Sequence, residues 1–282
     1  MAGTLTLVGT PIGNLGDFSP RAVEALEQCD FIAAEDTRVT LKLLNHFGIQ
    51  KPMVSYFEHN RRERGELICA RILEGENCCL VTDAGMPAIS DPGEDLVALC
   101  GQKGIEVTAV PGPTAMATAL ALSGLPTGRF TFEGFLSMSR KSRREHLLSI
   151  QKEPRTMVFY EAPHKLISTL QDLLDALGDR RMTIAREITK IHEQILHTTL
   201  SDALSYFTDN APRGEFVLVI EGAKPEKEEG MTLEQAVELA HRLMEDGMSP
   251  TSAAKQAAAD SGHKKSAIYK AVLDEKGRQE SF

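Results

Sequence analysis

Three turns rich in glycine and proline carry the residues best suited to chemistry. They are Val8-Gly9-Thr10-Pro11-Ile12-Gly13-Asn14-Leu15; Val81-Thr82-Asp83-Ala84-Gly85-Met86-Pro87, running on to Ser90-Asp91-Pro92-Gly93; and Val110-Pro111-Gly112-Pro113-Thr114-Ala115. Each follows a short apolar run that reads as a strand, and open α/β sheets bind ligands at the carboxyl ends of their strands. Glycine lets a backbone come close to a ligand, and proline fixes the approach. One such loop is ordinary turn chemistry; three at strand ends point to a ligand site. Asp83, just ahead of Gly85, suits polar or cationic parts of that ligand. Glu35 and Asp36 end another strand and either cap the following helix or face the same site, capping being the better account of Asp36.

The motifs narrow the ligand by exclusion. The first turn spaces its glycines G-x3-G-x2-G rather than GxGxxG, and no GxxxxGK[ST] occurs, so dinucleotides and P-loop nucleotides are disfavoured. No histidine pair has metal-ligand spacing, and neither HExxH nor GxSxG is present, so no metal is expected. A zwitterionic sulfonium nucleoside fits the remaining possibilities without being singled out by them.

The elements that must position these turns are legible. Strands read at Leu5–Val8, Phe31–Ala34, Met53–Tyr56, Cys78–Val81 and Glu106–Val110, with helices after Pro20, Arg38, Arg61, Glu94 and Thr114. Such alternation predicts a mainly parallel sheet with helices on its faces. Further strands read at Phe130–Glu133, Thr156–Tyr160, Met182–Arg186, Gln194–Thr199 and Glu215–Ile220, with helices at Ser142–Ile150, Pro163–Ala176 and Leu200–Thr208. Two strands in succession without a helix between them predict a mixed, partly antiparallel sheet. The charged stretch GAKPEKEEG then reads as a linker. Three short helices follow, at Leu233–Glu245, from Ser249-Pro250 through Asp260, and at His263–Leu273, forming either a helix-turn-helix-like unit or a helical cap. The fold class is α/β, with domains at 1–124 and 125–222, a linker at 223–230 and a helical extension at 231–282.

Composition sets bounds on function. Five cysteines with no CxxC pair predict reduced, buried thiols, and no apolar run is long enough to span a membrane. The N-terminus enters a strand pattern without a charged leader, so a cytoplasmic protein is expected. A net charge of −9 does not advertise a nucleic-acid binder, yet basic clusters stand out locally: Arg61, Arg62 and Arg64; Arg140, Lys141, Arg143 and Arg144; Lys264 and Lys265. Taken singly, each cluster reads as a solvated face.

Eight segments together resemble the tetrapyrrole-methylase-like methyltransferases, and within them the branch that modifies small-subunit ribosomal RNA. They are GTPIGNLGD, AAEDTR (Ala33–Arg38), LVTDAGMPAISDPG, VPGPTA, FEGF (Phe132–Phe135), FYEAPHK (Phe159–Lys165), ARE (Ala185–Glu187) and GEFVLVIEG (Gly214–Gly222), in order along nearly the whole chain. The GxGPGD and GGDP turns of corrin and sirohaem methylases are absent, and GTPIGN stands where PTPIGN is common. The resemblance implies a cofactor cleft between two α/β domains, S-adenosylmethionine as cofactor, a homodimer, and 2′-O-ribose methylation of a cytidine in 16S ribosomal RNA. Carried over residue by residue, it implies cofactor contacts at Ile12, Val81, Asp83, Met86, Thr114, Ala115, Glu161, Ile188 and Glu215. A tetrapyrrole methylase and a non-catalytic RNA assembly factor are the alternatives, with a nicotinamide dehydrogenase remote.

Methyl transfer from a sulfonium is an in-line displacement, in which alignment does most of the work. A ribose hydroxyl gains from a proton acceptor within hydrogen-bond reach. Glu35 is the candidate for that role, and Arg38 for holding an RNA phosphate. Glu161 and His164 lie at another strand end, with Glu161 nearer the cofactor. Lys165, Arg186, Glu187 and Lys190 form either an ion-pair network or a substrate contact. Arg140, Lys141, Arg143 and Arg144, expected in a Ser-rich loop beside the cleft, form a candidate clamp on the RNA backbone. Lys264 and Lys265, at a helix start in the tail, are further candidates for RNA contact.

Overall fold

The computed structural model describes residues 1–224 and 231–279, with side chains up to residue 274; most of the expected linker and the last residues of the tail lie outside them. The chain divides into two compact units, residues 1–223 and 224–282, and both sheets fall in the first.

The first sheet is built from β1 (Thr4–Val8), β2 (Phe31–Ala34), β3 (Met53–Ser55), β4 (Cys78–Val81) and β5 (Glu106–Val110). The intervening helices are α1 (Pro20–Gln28), α2 (Thr37–His46), α3 (Arg61–Leu73), α4 (Gly93–Gln102) and α5 (Ala115–Leu122). All strand pairs are parallel, in the order β3-β2-β4-β1-β5. Every residue of β2 and β4 is buried, as expected of strands covered on both faces. One face packs Leu5, Phe31, Ile68, Ile72 and Leu96; the other packs Val8, Leu26, Ile32, Leu44 and Val81. Each such apolar side chain contributes about 1.5–3 kcal/mol on burial. Local signals fix the helix entries: the Ser19 hydroxyl accepts from the Ala22 N–H with Pro20 at the first helical position. All five cysteines are buried free thiols.

The second sheet uses β6 (Phe130–Gly134), β7 (Thr156–Glu161), β8 (Arg181–Arg186), β9 (Gln194–Thr199) and β10 (Phe216–Ile220), in the order β6-β7-β10-β8-β9. Only β6 and β7 run parallel, so the sheet is mixed. Helices α6 (Arg140–Ser149), α7 (Leu166–Leu177) and α8 (Leu200–Asp209) cover one face, where Leu147, Phe159, Leu170, Leu173 and Phe207 pack. The other face takes α5, whose Ala119 and Leu120 join Ile12, Val158, Ala185 and Val217 in a core that α5 and the turn after β1 share with the second sheet.

The second unit is three helices, α9 (Leu233–Glu245), α10 (Pro250–Ser261) and α11 (Lys265–Gln279). Thr232 and Gln235 close a capping box at α9, and Ser249 caps α10 ahead of Pro250. Its core is small, with five alanines (Ala236, Ala240, Ala253, Ala254 and Ala257) around Val237, Ile268 and Val272. Among the described residues, no helix is long and apolar enough to cross a membrane.

Candidate active site

The three glycine-rich turns follow β1, β4 and β5, which are neighbours in the sheet although far apart in sequence. Thr10 and Gly85 pair through two backbone hydrogen bonds of 2.9 and 3.1 Å, tying the first turn to the second. Gly9 and Gly112 tie the first to the third: a Cβ on Gly9 would stand 2.6 Å from the Gly112 Cα. These two glycines therefore serve the packing of turn on turn, not the approach to a ligand expected from the sequence. β2 lies next to β4, so Glu35 joins the same row of strand ends.

The second sheet presents four strand ends to this row. Phe216 at the start of β10 pairs with Glu161 at the end of β7 and with Arg186 at the end of β8, and Gly134 closes β6 beside Phe159. Between the two rows lies a cavity of about 420 Å³, lined among others by Ile12, Glu35, Asp83, Met86, Asp91, Thr114, Tyr160, Glu161, Ile188 and Glu215. That volume falls within the roughly 300–1,000 Å³ of small-molecule sites.

Two strained segments flank the cavity. Among the described residues, the non-glycine positions with left-handed backbone are Ala88, Ser90, Glu187 and Thr189. They bracket Ile89 and Ile188, both in the cavity wall. Such strain persists only where the surroundings over-determine it. Around Ile89 the Asp91 carboxylate accepts from the N–H groups of Ala88, Ile89 and Gly93 at 3.0, 3.3 and 2.8 Å. Around Ile188 the Glu187 carboxylate accepts from the Glu215 N–H at 2.9 Å and from Lys190 Nζ at 3.0 Å, and Lys190 also reaches Glu215 at 2.9 Å. Burial opposes ionisation of Glu187, but these bonds hold its carboxyl below the ordinary value. Glu187 and Lys190 are thus an ion-pair network that shapes the wall.

The first row is acidic. Thr82 donates from its hydroxyl to Glu35 at 2.6 Å, and the Asp36 N–H donates to Asp83 at 3.1 Å. Burial, then the neighbouring Glu35 carboxylate, pushes the Asp83 carboxyl above its ordinary value. Burial likewise raises Asp91, against the three N–H groups it accepts. The cavity thus offers carboxylates to cationic or hydroxyl-bearing parts of a ligand, and Ile12, Met86, Ile188 and Val217 to its apolar parts.

The structure gathers eight of the nine residues carried over as cofactor contacts around this cavity. Val81 is the exception; it is buried in the core of the first sheet, one residue before the lining begins. Thr114 lines the cavity while capping α5 through its hydroxyl. Glu161 is buried and accepts from Thr169 Oγ1 at 2.5 Å and from the Ala162 N–H at 2.8 Å. Of the two catalytic candidates, Glu35 lines the cavity and Arg38 does not. The Arg38 side chain is 87% exposed and lies on Asp36, which caps α2. That pairing draws the Asp36 carboxyl down to about 2.

The basic cluster separates. Its residues open α6 rather than forming a loop, because the helix begins at Arg140. Arg143 turns inward, bonding Asp172 at 2.5 Å and the Thr169 hydroxyl at 2.9 Å, while Arg140, Lys141 and Arg144 stay exposed. Lys264 and Lys265 are exposed where α11 starts. Asp91, Phe135 and Tyr160 line the cavity without having been assigned a role from the sequence. A signal for Phe135 lay in FEGF, where a glycine interrupts a strand pattern and marks a bulge.

Residues 4–204 match the family Tetrapyrrole (Corrin/Porphyrin) Methylases. The ribosomal RNA small subunit methyltransferase I of Synechocystis sp. is 50% identical over 273 residues, 96% of this chain and 98% of that protein. The protein of the same name from Thermotoga maritima is 48% identical over 220 residues, 78% of this chain and 99% of its own length. The solved structure of uroporphyrin-III C-methyl transferase from Thermus thermophilus, complexed with S-adenyl homocysteine, superposes with a TM-score of 0.54 at 20% identity, covering 78% of this chain and 97% of that one. At that identity the likeness shows the fold. With a family match over most of the chain, from β1 through β9, and relatives this similar along their full length, the chain belongs to the tetrapyrrole methylase family, beside the members named ribosomal RNA small subunit methyltransferase I.

Proposed function

We propose that this protein transfers a methyl group from S-adenosylmethionine to the ribose 2′-hydroxyl of a cytidine in 16S ribosomal RNA. The observation that carries the cofactor assignment is the cavity between two rows of strand ends, lined by eight residues that the family resemblance marks for cofactor contact. A relative of the same fold complexed with S-adenyl homocysteine supports it. Support for the ribosomal substrate comes from the names of relatives that match along nearly their whole length. The cytidine and the 2′-hydroxyl rest on the resemblance.

The donor set fits the cofactor. Ile12, Met86, Ile188 and Val217 offer apolar surface to the adenine and the methylenes, and Asp83 and Glu215 offer carboxylates to its hydroxyl and ammonium groups. When bound, the cofactor supplies a methyl already activated on a positive sulfur. The protein's share is alignment: the turns tied through Thr10–Gly85 and Gly9–Gly112 form a rigid floor, and the two strained segments fix the walls. Glu35, oriented by the Thr82 hydroxyl, accepts the proton from the attacking 2′-hydroxyl. Arg140, Lys141 and Arg144 at the head of α6 hold the RNA backbone, with Lys264 and Lys265 in the second unit. The protein acts as a homodimer in the bacterial cytoplasm.

The test is mass mapping of small-subunit ribosomal RNA from cells lacking the protein, complemented by wild type or by Asp83→Ala. A single ribose methyl lost on deletion and restored only by wild type is expected. An unchanged methylation map would remove the ribosomal assignment.

A further inference from the structure

The FEGF segment is built to place one aromatic ring. Side chains alternate along a strand, so Phe132 and Phe135, three positions apart, would ordinarily face opposite sides of the sheet. The register of β6 against β7 shifts between Phe132 and Gly134, and Gly134 has a φ of +62°. Bulges of this kind re-aim side chains beside active sites. As a result both rings lie against Tyr160, Phe132 at 5.0 Å and Phe135 at 5.5 Å between centroids, each edge-on. Glu133, between them, is held by His146 Nε2 at 2.7 Å. Tyr160 is itself fixed, its hydroxyl accepting from the Met116 N–H at 3.1 Å.

Phe132 is packed in the shared core, whereas Phe135 lines the cavity and remains 55% exposed. Across from it, the strained segment of the first half brings Ile89, which is 41% exposed and also lines the cavity. The two halves touch there, since a Cβ on Gly134 would stand 3.5 Å from the Ser90 hydroxyl. What sets Phe135 apart from other exposed apolar side chains is its place, fixed against Tyr160 at the border of the cavity. The helix that follows opens with the exposed cations Arg140 and Lys141, which suit a polyanion entering at this side.

Resting on the RNA assignment above, we propose that Phe135 is the stacking platform for the base of the acceptor nucleotide, with Ile89 as its apolar counterpart. A ribose that enters the cavity must carry its base out of the strand's own stack, and a π-face at the entrance substitutes for the neighbouring bases. Phe135 is therefore a positioning residue that selects for a splayed nucleotide rather than for the cofactor.

The test uses assembled small subunits and naked ribosomal RNA, both from cells lacking the protein, with radiolabelled S-adenosylmethionine as methyl donor. Phe135→Trp should keep kcat/KM within about threefold, while Phe135→Leu and Phe135→Ala should lose roughly 10- to 100-fold, mostly through KM for RNA. Cofactor affinity, measured by calorimetry, should be unchanged in all three. Wild-type kcat/KM in Phe135→Leu would overturn the proposal, because leucine keeps bulk without a π-face. Parallel loss of cofactor affinity would overturn it in favour of a cofactor contact. A changed elution volume for Phe135→Leu would overturn it in favour of an interface between copies. Wild-type protein that methylates neither substrate would bring down the RNA assignment and this proposal together; active wild type with active Phe135→Leu would bring down this proposal alone.

Discussion

Arg143 and Glu161 share one hydroxyl: Thr169 donates to the Glu161 carboxylate at 2.5 Å and accepts from the Arg143 guanidinium at 2.9 Å. A cation on α6 thereby reaches a buried carboxylate in the cavity wall through a side chain on α7. Removing the hydroxyl leaves Glu161 short of a donor where water cannot easily replace it. Thr169→Val should lower stability by about 1–3 kcal/mol and weaken S-adenosylmethionine binding, while Thr169→Ser should retain both. Denaturant unfolding and calorimetry report the two effects separately; wild-type cofactor affinity in Thr169→Val would show that Glu161 needs no such support.

The exposed members of the same cluster should behave differently. Replacing Arg140, Lys141 and Arg144 together by alanine should weaken RNA binding and flatten its salt dependence by up to about 0.7 for each phosphate no longer held on a single strand. Cofactor affinity should stay as in wild type. Equal loss of both affinities would refute this division between Arg143 and its neighbours.

Asp83 gives a pH signature. Its carboxyl is raised above the ordinary 3.8 by burial first and by Glu35 next. Between 3.8 and the raised value, the folded state holds more protons than the unfolded one, so stability falls as pH rises through that window and stays lowered above it. Asp83→Asn removes the deficit and keeps an oxygen for the Asp36 N–H. Its Tm should exceed wild type at neutral pH, the gap closing below the ordinary carboxyl value, while methyl transfer is lost. A Tm difference that does not vary with pH would contradict this linkage.

Two glycines should respond in opposite directions. Gly9→Ala places a Cβ 2.6 Å from the Gly112 Cα and should cost about 1–3 kcal/mol, loosening the turns and weakening cofactor binding. Gly101, exposed inside α4 with nothing within 4 Å of a built Cβ, should gain roughly 0.5–1 kcal/mol as alanine. Thermal unfolding of the two variants checks both signs.

Truncation after Ala223 should leave a folded protein that still binds S-adenosylmethionine. The core of the helical unit contains only its own residues, and the Thermotoga maritima relative is matched along 99% of its length over 220 residues. If Lys264 and Lys265 contact RNA, the truncated protein should bind ribosomal RNA more weakly at unchanged cofactor affinity. Loss of cofactor binding on truncation would assign the tail a role in the fold of the first unit.

By itself the sequence determined the elements and the chemistry at their ends. β2, β4, β5 and β9 begin and end at the residues read as strands from the sequence, and Ser19, Asp36 and Ser249 cap helices as their types predict. Burial periodicity and capping are local, so a single chain displays them. Only the tertiary structure decided that β4, β1 and β5 are neighbours, which brings the three turns together, and that Gly9 and Gly112 pack on each other. It also decided which cation of a run turns inward. Arg143 differs from Arg140 and Arg144 only in meeting Thr169 and Asp172, which stand on another helix. Helix phase could place it on an inner face, but its partners come from the packing of α6 on α7. Phe135 likewise owes its face to a bulge, a one-residue shift in pairing with β7 that depends on where the partner strand lies.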